Sequence, residues 1–447
     1  MDVAVIGLGK VGLVLAVAVA SAGHRVVGID VDHHRAEAIK GGRIILHEDG
    51  FAERYQRVLA GGDLTASTDM AAIGDPDVIF IIVPTPSVSD GTFSLAFVLE
   101  SVRSLGPMLR ATRKSPVVAV VSTVMPQASA REIIPAIEGV AGRMMGDHLG
   151  YAYNPAFIAL GDVLRGFINP DLVLIGEIDQ ASGDVLTAIH RTMVSGGTPV
   201  VRMNPVEAEL TKLSSNAYET ARVAFVNMLL AGCHQTPRAD VDAITSALTH
   251  RHGKRMFRGA TPYGGPCWPR DNKALSFYLE SVGAPARLPA AVHASNGDHA
   301  TYLRDAVINL IPAEAESVLV AGLAYKPGTE VVEESFGLWL FHELQNRTSL
   351  DVWGWDPLVE AGDVASLSAA PHKIVQDLGE GLARADVCVV ALPHRELLAW
   401  NWDEAPSGLL LIDLWRVVDS AASKLASRYV GVGAGQGPTG PEKDGNS

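Results

Sequence analysis

Two groups of residues in this chain have the chemistry to act together. Cys267 stands in the run Tyr263-Gly-Gly-Pro-Cys-Trp-Pro-Arg-Asp271, and Gly7, Gly9 and Gly12 form a Gly-x-Gly-x-x-Gly motif near the N-terminus. The glycines suit a dinucleotide: one makes a tight turn, one lets the backbone approach a pyrophosphate, and one lets helix pack on strand, while the helix N-terminus favours the anion. Asp30 follows 18 residues after Gly12, at the end of the second apolar run. A carboxylate there accepts bonds from the adenosine ribose hydroxyls and repels a 2′-phosphate, which favours NAD over NADP. Arg35 could stack on the adenine or lie on a solvated face, and the sequence leaves both open. A thiol able to attack a carbonyl, in a chain that carries a nicotinamide, suggests oxidation through a covalent sulfur adduct.

The elements that must position these groups can be read from periodicity. Short Val- and Ile-rich runs separated by helical patterns predict buried parallel strands at Asp2 to Ile6, Arg25 to Ile29, Val78 to Val83, Val117 to Ser122 and Leu172 to Ile175. From Pro205 to about His299 strand signals give way to helical patterns, starting with Glu207-Ala-Glu-Leu-Thr-Lys-Leu. Strands resume at Ser317 to Gly322, Leu350 to Trp355, Asp386 to Ala391 and Leu409 to Leu414, and Val318-Leu-Val-Ala-Gly-Leu-Ala echoes Val3-Ala-Val-Ile-Gly-Leu-Gly. The expected fold is α/β, with two Rossmann-like doubly wound domains joined by a central helical domain and the site in the cleft. The expected division is 1–203, 204–305 and 306–432, with 433–447 a disordered tail because its Gly, Pro and charged residues cannot bury enough apolar area.

Composition narrows the partners. With 48% hydrophobic and 19% charged residues the chain can build large cores, and a net charge of -14 argues against nucleic acid and anionic membranes. Asp2 precedes the first apolar run and Lys10 interrupts it, and no apolar stretch reaches ~18 residues, so no signal peptide or membrane span is expected. Three widely spaced cysteines make neither a disulfide framework nor a metal cluster, which fits a reducing cytoplasm and no metal. Cys233 and Cys388, among apolar neighbours, read as core residues.

Several separated motifs resemble the UDP-glucose/GDP-mannose 6-dehydrogenase family over nearly the whole chain. Gly264-Gly-Pro-Cys-Trp-Pro-Arg-Asp271 is similar to the family's Gly-Gly-x-Cys-x-x-Lys-Asp, and Lys212-Leu-Ser-Ser-Asn216-Ala to its Lys-Leu-x-x-Asn-Ala. Ser122-Thr-Val124 and Asn169-Pro-Asp171 also fit, while Gly322-Leu-Ala-Tyr-Lys326-Pro resembles Gly-Leu-x-Phe-Lys-x and Trp355-Asp-Pro357 resembles x-Asp-Pro. The resemblance implies oxidation of the C6 alcohol of a nucleotide sugar, twice, with two NAD and a cysteine-bound intermediate. It implies that Lys212 and Asn216, four apart on one helix face, stabilise an oxyanion, and that Asp271 with Thr123 positions a water. Thr85 joins Thr123 and the glycine motif on the cofactor, and Phe157, Gly264, Gly265 and Lys326 on the substrate. Arg251, 16 residues before Cys267, matches an arginine that reaches the neighbouring subunit's site, which implies a homodimer through the central helices. Arg255 and Arg258 could help hold a diphosphate or be solvated. Taken singly, Lys212 as a surface charge and Cys267 as a small buried side chain would be ordinary; their joint occurrence favours a site.

The chain departs from the family in places that matter. Where the family reads Asn-Pro-Glu-Phe-Leu-x-Glu-Gly, this chain reads Asn154-Pro-Ala156-Phe-Ile-Ala-Leu160-Gly, so both carboxylates are gone. The first is the family's candidate base for thioester hydrolysis, a kind of help typically worth ~10²–10⁴-fold. Arg270 replaces a lysine, Gly328 an aspartate, and Glu333 an arginine near the cofactor. Three readings follow: full oxidation to the uronic acid, oxidation that stops at the aldehyde or at a slowly hydrolysed thioester, and a non-catalytic NAD-binding regulatory protein.

Overall fold

The computed structural model describes residues 1–43, 46, 48–253, 256–365, 373–418 and 428–435. The chain divides into two compact units, Met1–Ser215 and Asn216–Ser447.

The first unit is built on eight strands: β1 (Asp2–Ile6), β2 (Arg25–Ile29), β3 (Leu64–Ser67), β4 (Val78–Ile81), β5 (Val117–Val120), β6 (Gly150–Tyr153), β7 (Val173–Glu177) and β8 (Val200–Met203). Their order in the sheet is β3-β2-β1-β4-β5-β6-β7-β8. Strand order reverses beside β1, which pairs in parallel with both β2 and β4, so the switch point lies where the glycine motif leaves β1. Val3 and Val5 enter one core cluster while Ala4 and Ile6 enter the other. Both faces of the sheet are covered, which is why its strands read as unbroken apolar runs. One expectation is corrected: β7 is antiparallel to β6 and parallel only to β8. The connection carries a six-residue helix, Val163–Ile168, in place of the full crossover helix of a parallel unit.

In the second unit four helices precede the sheet: the 31-residue Pro205–Gln235, inside which the division falls, then Val241–His252, Trp268–Ser281 and Arg287–Leu310. The last continues past residue 305. The strands are β9 (Ser317–Ala321), β10 (Asp351–Trp355), β11 (Ile374–Val375), β12 (Val387–Val390), β13 (Leu410–Asp413) and β14 (Tyr429–Gly431), in the order β11-β10-β9-β12-β13-β14 and all parallel. This is the same doubly wound plan, as the internal echo implied. The tail begins later than expected: the Val241 amide donates to the Gly433 carbonyl at 3.1 Å and Ala434 bridges to Asp240. The rest of the expected tail, 436–447, lies outside the described residues. Among the described residues no helix is long and apolar enough to cross a membrane.

Candidate active site

The first unit assembles the cofactor end. Gly7 has φ +94, a conformation that favours glycine, and a β-carbon there would strike the Ile82 carbonyl. A β-carbon on Gly9 would meet nothing within 4 Å, so this part of the turn is open to a ligand. The helix Gly12–Ser21 that follows has no side-chain cap, which leaves its N-terminal field to an anion. A groove of about 490 Å³ lined by Leu8, Gly9, Lys10, His34 and Arg35 adjoins it. These residues fit a dinucleotide. Asp30 is buried, and its two oxygens accept from the Leu8 amide at 2.7 Å, the Asp32 amide at 2.9 Å and Arg35 Nη1 at 3.0 and 3.1 Å. Arg35 therefore neither stacks nor floats in this structure but pairs with Asp30. Thr85 donates to the Thr123 carbonyl at 2.7 Å, tying the ends of β4 and β5 together.

Lys212 is buried and not a surface charge. Its ammonium donates to the Ala156 carbonyl at 2.9 Å and stands 5.0 Å from the Phe157 ring centroid. One turn earlier Glu209, fully buried, accepts from the Gln127 and Ser129 amides at 2.6 and 2.9 Å, and burial raises its carboxyl pKa. Sequence reasoning missed Glu209, although its place three residues before Lys212 on an apolar helix face was a signal.

The second unit holds the cysteine. Cys267 is exposed and occupies the N-cap of the 14-residue helix Trp268–Ser281, a position whose field favours a thiolate. One turn on, buried Asp271 accepts from Asn216 Nδ2 at 2.6 Å and from Arg270 Nε at 3.1 Å. The preceding loop is clamped from distant helices. Asn227 binds the Ala260 amide at 2.9 Å and the Thr261 carbonyl at 3.1 Å, and Asn296 binds both the amide and the carbonyl of Tyr263. His299, whose pKa burial lowers to about 4, donates Nε2–H to the Ala260 carbonyl at 2.7 Å. None of these clamps was anticipated, because no local motif links residues so far apart.

Other candidates fall differently. The glycines at 264 and 265 make room for protein: a β-carbon on Gly264 would strike the Glu334 carbonyl, and the Gly265 amide donates to the Glu333 carbonyl at 3.1 Å. Lys326 is half-buried in the loop after β9, and Arg251 is exposed in the last turn of Val241–His252. Arg258 is structural, bonded to the Trp415 carbonyl at 3.2 Å and paired with Asp242 at 3.7 Å. Arg255 lies outside the described residues. Cys233 and Cys388 are buried, and burial raises both thiols.

Comparison with known proteins decides the family. Residues 1–194 match the NAD binding domain of the UDP-glucose/GDP-mannose dehydrogenase family, 206–298 its central domain and 319–420 its UDP binding domain. A UDP-glucose 6-dehydrogenase of Haloferax volcanii is 31% identical over 94% of this chain and 97% of its own. The chain belongs to the UDP-glucose/GDP-mannose dehydrogenase family. It is an NAD-dependent dehydrogenase. A GDP-mannose 6-dehydrogenase of Pseudomonas syringae is 30% identical over 95% of this chain and 98% of its own. The structure of a UDP-glucose dehydrogenase from Pyrobaculum islandicum superposes with a TM-score of 0.85 at 29% identity, covering 96% of this chain and 97% of that one.

Against that family background the departures acquire local environments. Ala156 and Leu160 pack against the apolar core of the first sheet. Ala156 lines a cavity of about 20 Å³ with Asn154, Phe157 and His190, room for about one water. His190 is bonded to Asn154 Oδ1 at 2.8 Å, and burial lowers its pKa to about 4, so it is neutral at pH 7. Gly328 has φ +79, which explains glycine there. Glu333 is exposed, and its carbonyl serves the cysteine loop.

Proposed function

We propose that this dehydrogenase oxidises the C6 alcohol of a nucleotide sugar of the UDP-glucose kind to the uronic acid through a thioester on Cys267. The observation that carries this reading is the exposed thiol at a helix N-terminus with a buried, Asn216-bonded Asp271 one turn behind it. NAD, when bound, supplies the hydride acceptor for both oxidations. Gly7, Gly9 and Gly12 cradle its pyrophosphate, with Asp30 and Arg35 at the adenosine and Thr85 and Thr123 toward the other end. Lys212 places a cation where the substrate oxygen becomes an alkoxide, and Asn216 adds a hydrogen bond there. Asp271, held by Asn216, takes protons through a water that Thr123 helps position. The Cys267 thiolate then attacks the aldehyde carbon to give a thiohemiacetal, whose oxidation leaves the thioester. Phe157 and Lys326 line the substrate in this reading, and Gly264 and Gly265 let the cysteine loop pack against the loop after β9.

The assignment of function follows the division 1–203, 204–305 and 306–432. The exposed stripe Tyr218, Phe225 and Met228 on Pro205–Gln235 supports a homodimer on the central helices, into which Arg251 would reach the partner's site. Three cysteines without a disulfide support a cytoplasmic enzyme.

A second reading, arrest at the aldehyde or the thioester, is favoured by the apolar packing of Ala156 and Leu160 where the family carries carboxylates. Counting NADH per UDP-sugar consumed, with an aldehyde-trapping amine present, separates the two. Two NADH and no trapped aldehyde support full oxidation, whereas one NADH with a trapped aldehyde overturns it. Cys267→Ser is expected to abolish acid production, and an unchanged four-electron rate would remove the thioester from the scheme.

A further inference from the structure

Glu209 is a carboxylate that the reaction above does not use, and it is fully buried. It stands three residues before Lys212 on Pro205–Gln235, so the two side chains leave one face of that helix. They go to the ends of neighbouring strands, for β5 and β6 pair in parallel from Val117 with Gly150 to Val120 with Tyr153. In the loop after β5, Glu209 Oε2 accepts from the Gln127 amide at 2.6 Å and Oε1 from the Ser129 amide at 2.9 Å. In the loop after β6, Lys212 donates to the Ala156 carbonyl at 2.9 Å. The backbone that receives Glu209 has the shape of an anion cradle. Gln127 has φ +74, uncommon for a residue with a β-carbon, and Ala128 after it has φ -59 and ψ -40. A left-handed residue followed by a right-handed one turns successive amides to the same side, where they hold a negative group. The same segment carries Thr123, whose carbonyl accepts from Thr85 at 2.7 Å, so it is tied to β4 at one end and to the helix at the other.

We propose that Glu209 is a positioning residue: by filling the cradle it fixes the segment of Thr123 to the helix turn that presents Lys212, and so sets the water site and the cation at a constant separation. The inference rests on the roles given to Thr123 and Lys212 above. Glu209 touches no reacting atom in that scheme and acts through those two residues. A misplacement of about 1 Å between groups that must act together is enough to cost ~10²-fold in rate, so an anchor at this point reaches the chemistry without joining it. Glutamine in its place would turn an NH2 group on one of the two amides, and the cradle would lose a bond.

The test is Glu209→Gln in the full-length protein, with NAD and UDP-glucose as probes. kcat is expected to fall about ten- to thirtyfold, while the KM for NAD and the NAD bound per chain in calorimetry stay within about twofold of the parent. Hydrogen exchange in the peptide covering residues 123–129 is expected to quicken about tenfold or more. Gln127→Gly supplies a residue that adopts a positive φ freely, so the turn then depends less on the carboxylate. Alone it is expected to leave kcat within about twofold of the parent, and combined with Glu209→Gln to recover kcat about threefold or more and slow the exchange again. Any one of three results overturns the proposal: a kcat in Glu209→Gln within about twofold of the parent, unchanged exchange in 123–129, or a double variant no faster than Glu209→Gln. The exchange needs no turnover, so an enzyme that oxidises no nucleotide sugar would sink the proposed reaction while the anchoring by Glu209 is still read directly.

Discussion

The two sheets end their second strands on the same residue and use it for opposite purposes. Asp30 follows β2 and Asp356 follows β10, and each accepts amide bonds from the turn after the neighbouring first strand: Leu8 for Asp30, Leu323 and Ala324 for Asp356. Asp30 also accepts from the Asp32 amide, and its last partner is Arg35, whose side chain is 37% exposed. Asp356 also binds the Leu358 and Val359 amides, and its last partner is His394, 2% exposed, at 3.1 Å. The turns differ in the same sense. Gly9 faces open space, whereas its counterpart Ala324 is buried. A shared motif thus yields a partly exposed ion pair beside an open groove in one sheet and a sealed structural knot in the other. The echo between the halves reports common architecture and does not announce a second dinucleotide site.

The comparison can be broken most severely at Asp356. Replacing it by alanine strands four amides and a histidine inside the second sheet, and the expected loss of stability is about 3–5 kcal/mol. All seven tryptophans lie between Trp268 and Trp415, so fluorescence in a urea titration follows the second unit alone. Asp30→Ala should act mainly on NAD affinity, with a smaller loss of hydrogen-exchange protection in β1 and β2; equal damage from the two substitutions would end the distinction.

Acid sharpens it further. His190 in the first unit and His299 in the second have pKa values lowered from 6.5 to about 4 by burial, so the unfolded chain binds more protons between those limits. Stability from each is complete above about pH 6.5 and falls as pH drops toward 4, by up to about 3 kcal/mol apiece. Asp356, whose pKa is lowered through His394 and backbone bonds against the cost of burial, keeps its contribution above its unfolded value and loses it at lower pH still. The tryptophan transition should therefore show two acid-sensitive windows, and His299→Gln should make only the upper one shallower, because His234, His293 and His342, also lowered by burial, share it. A single window in that variant and in the parent alike would contradict this assignment.

The smallest effect is expected at Arg35. Because the Arg35 side chain is more than a third exposed, Arg35→Ala should change stability by less than about 1 kcal/mol and weaken NAD binding roughly two- to fivefold by calorimetry. A stability loss comparable with that of Asp356→Ala would show that the ion pair is structural after all.

Much of this was legible in the chain itself. β1 and β2 match their apolar runs residue for residue, because a strand buried on both faces must be apolar throughout. The short strands Leu64–Ser67, Gly150–Tyr153, Val200–Met203, Ile374–Val375 and Tyr429–Gly431 were missed, since each is brief or mixed in polarity and is a strand because a neighbour pairs with it. The types and spacing of Gly7, Gly9, Gly12, Lys212, Asn216 and Cys267 determined the family and the candidate chemistry, because turn geometry and helix phase are local properties. Only the tertiary structure decided what surrounds them: that Arg35 covers Asp30, that Lys212 is held by the Ala156 carbonyl, and that Tyr325 is pressed against the cysteine loop. The last two of those contacts join residues far apart in sequence, where the choice of partner depends on how elements pack and not on any spacing along the chain.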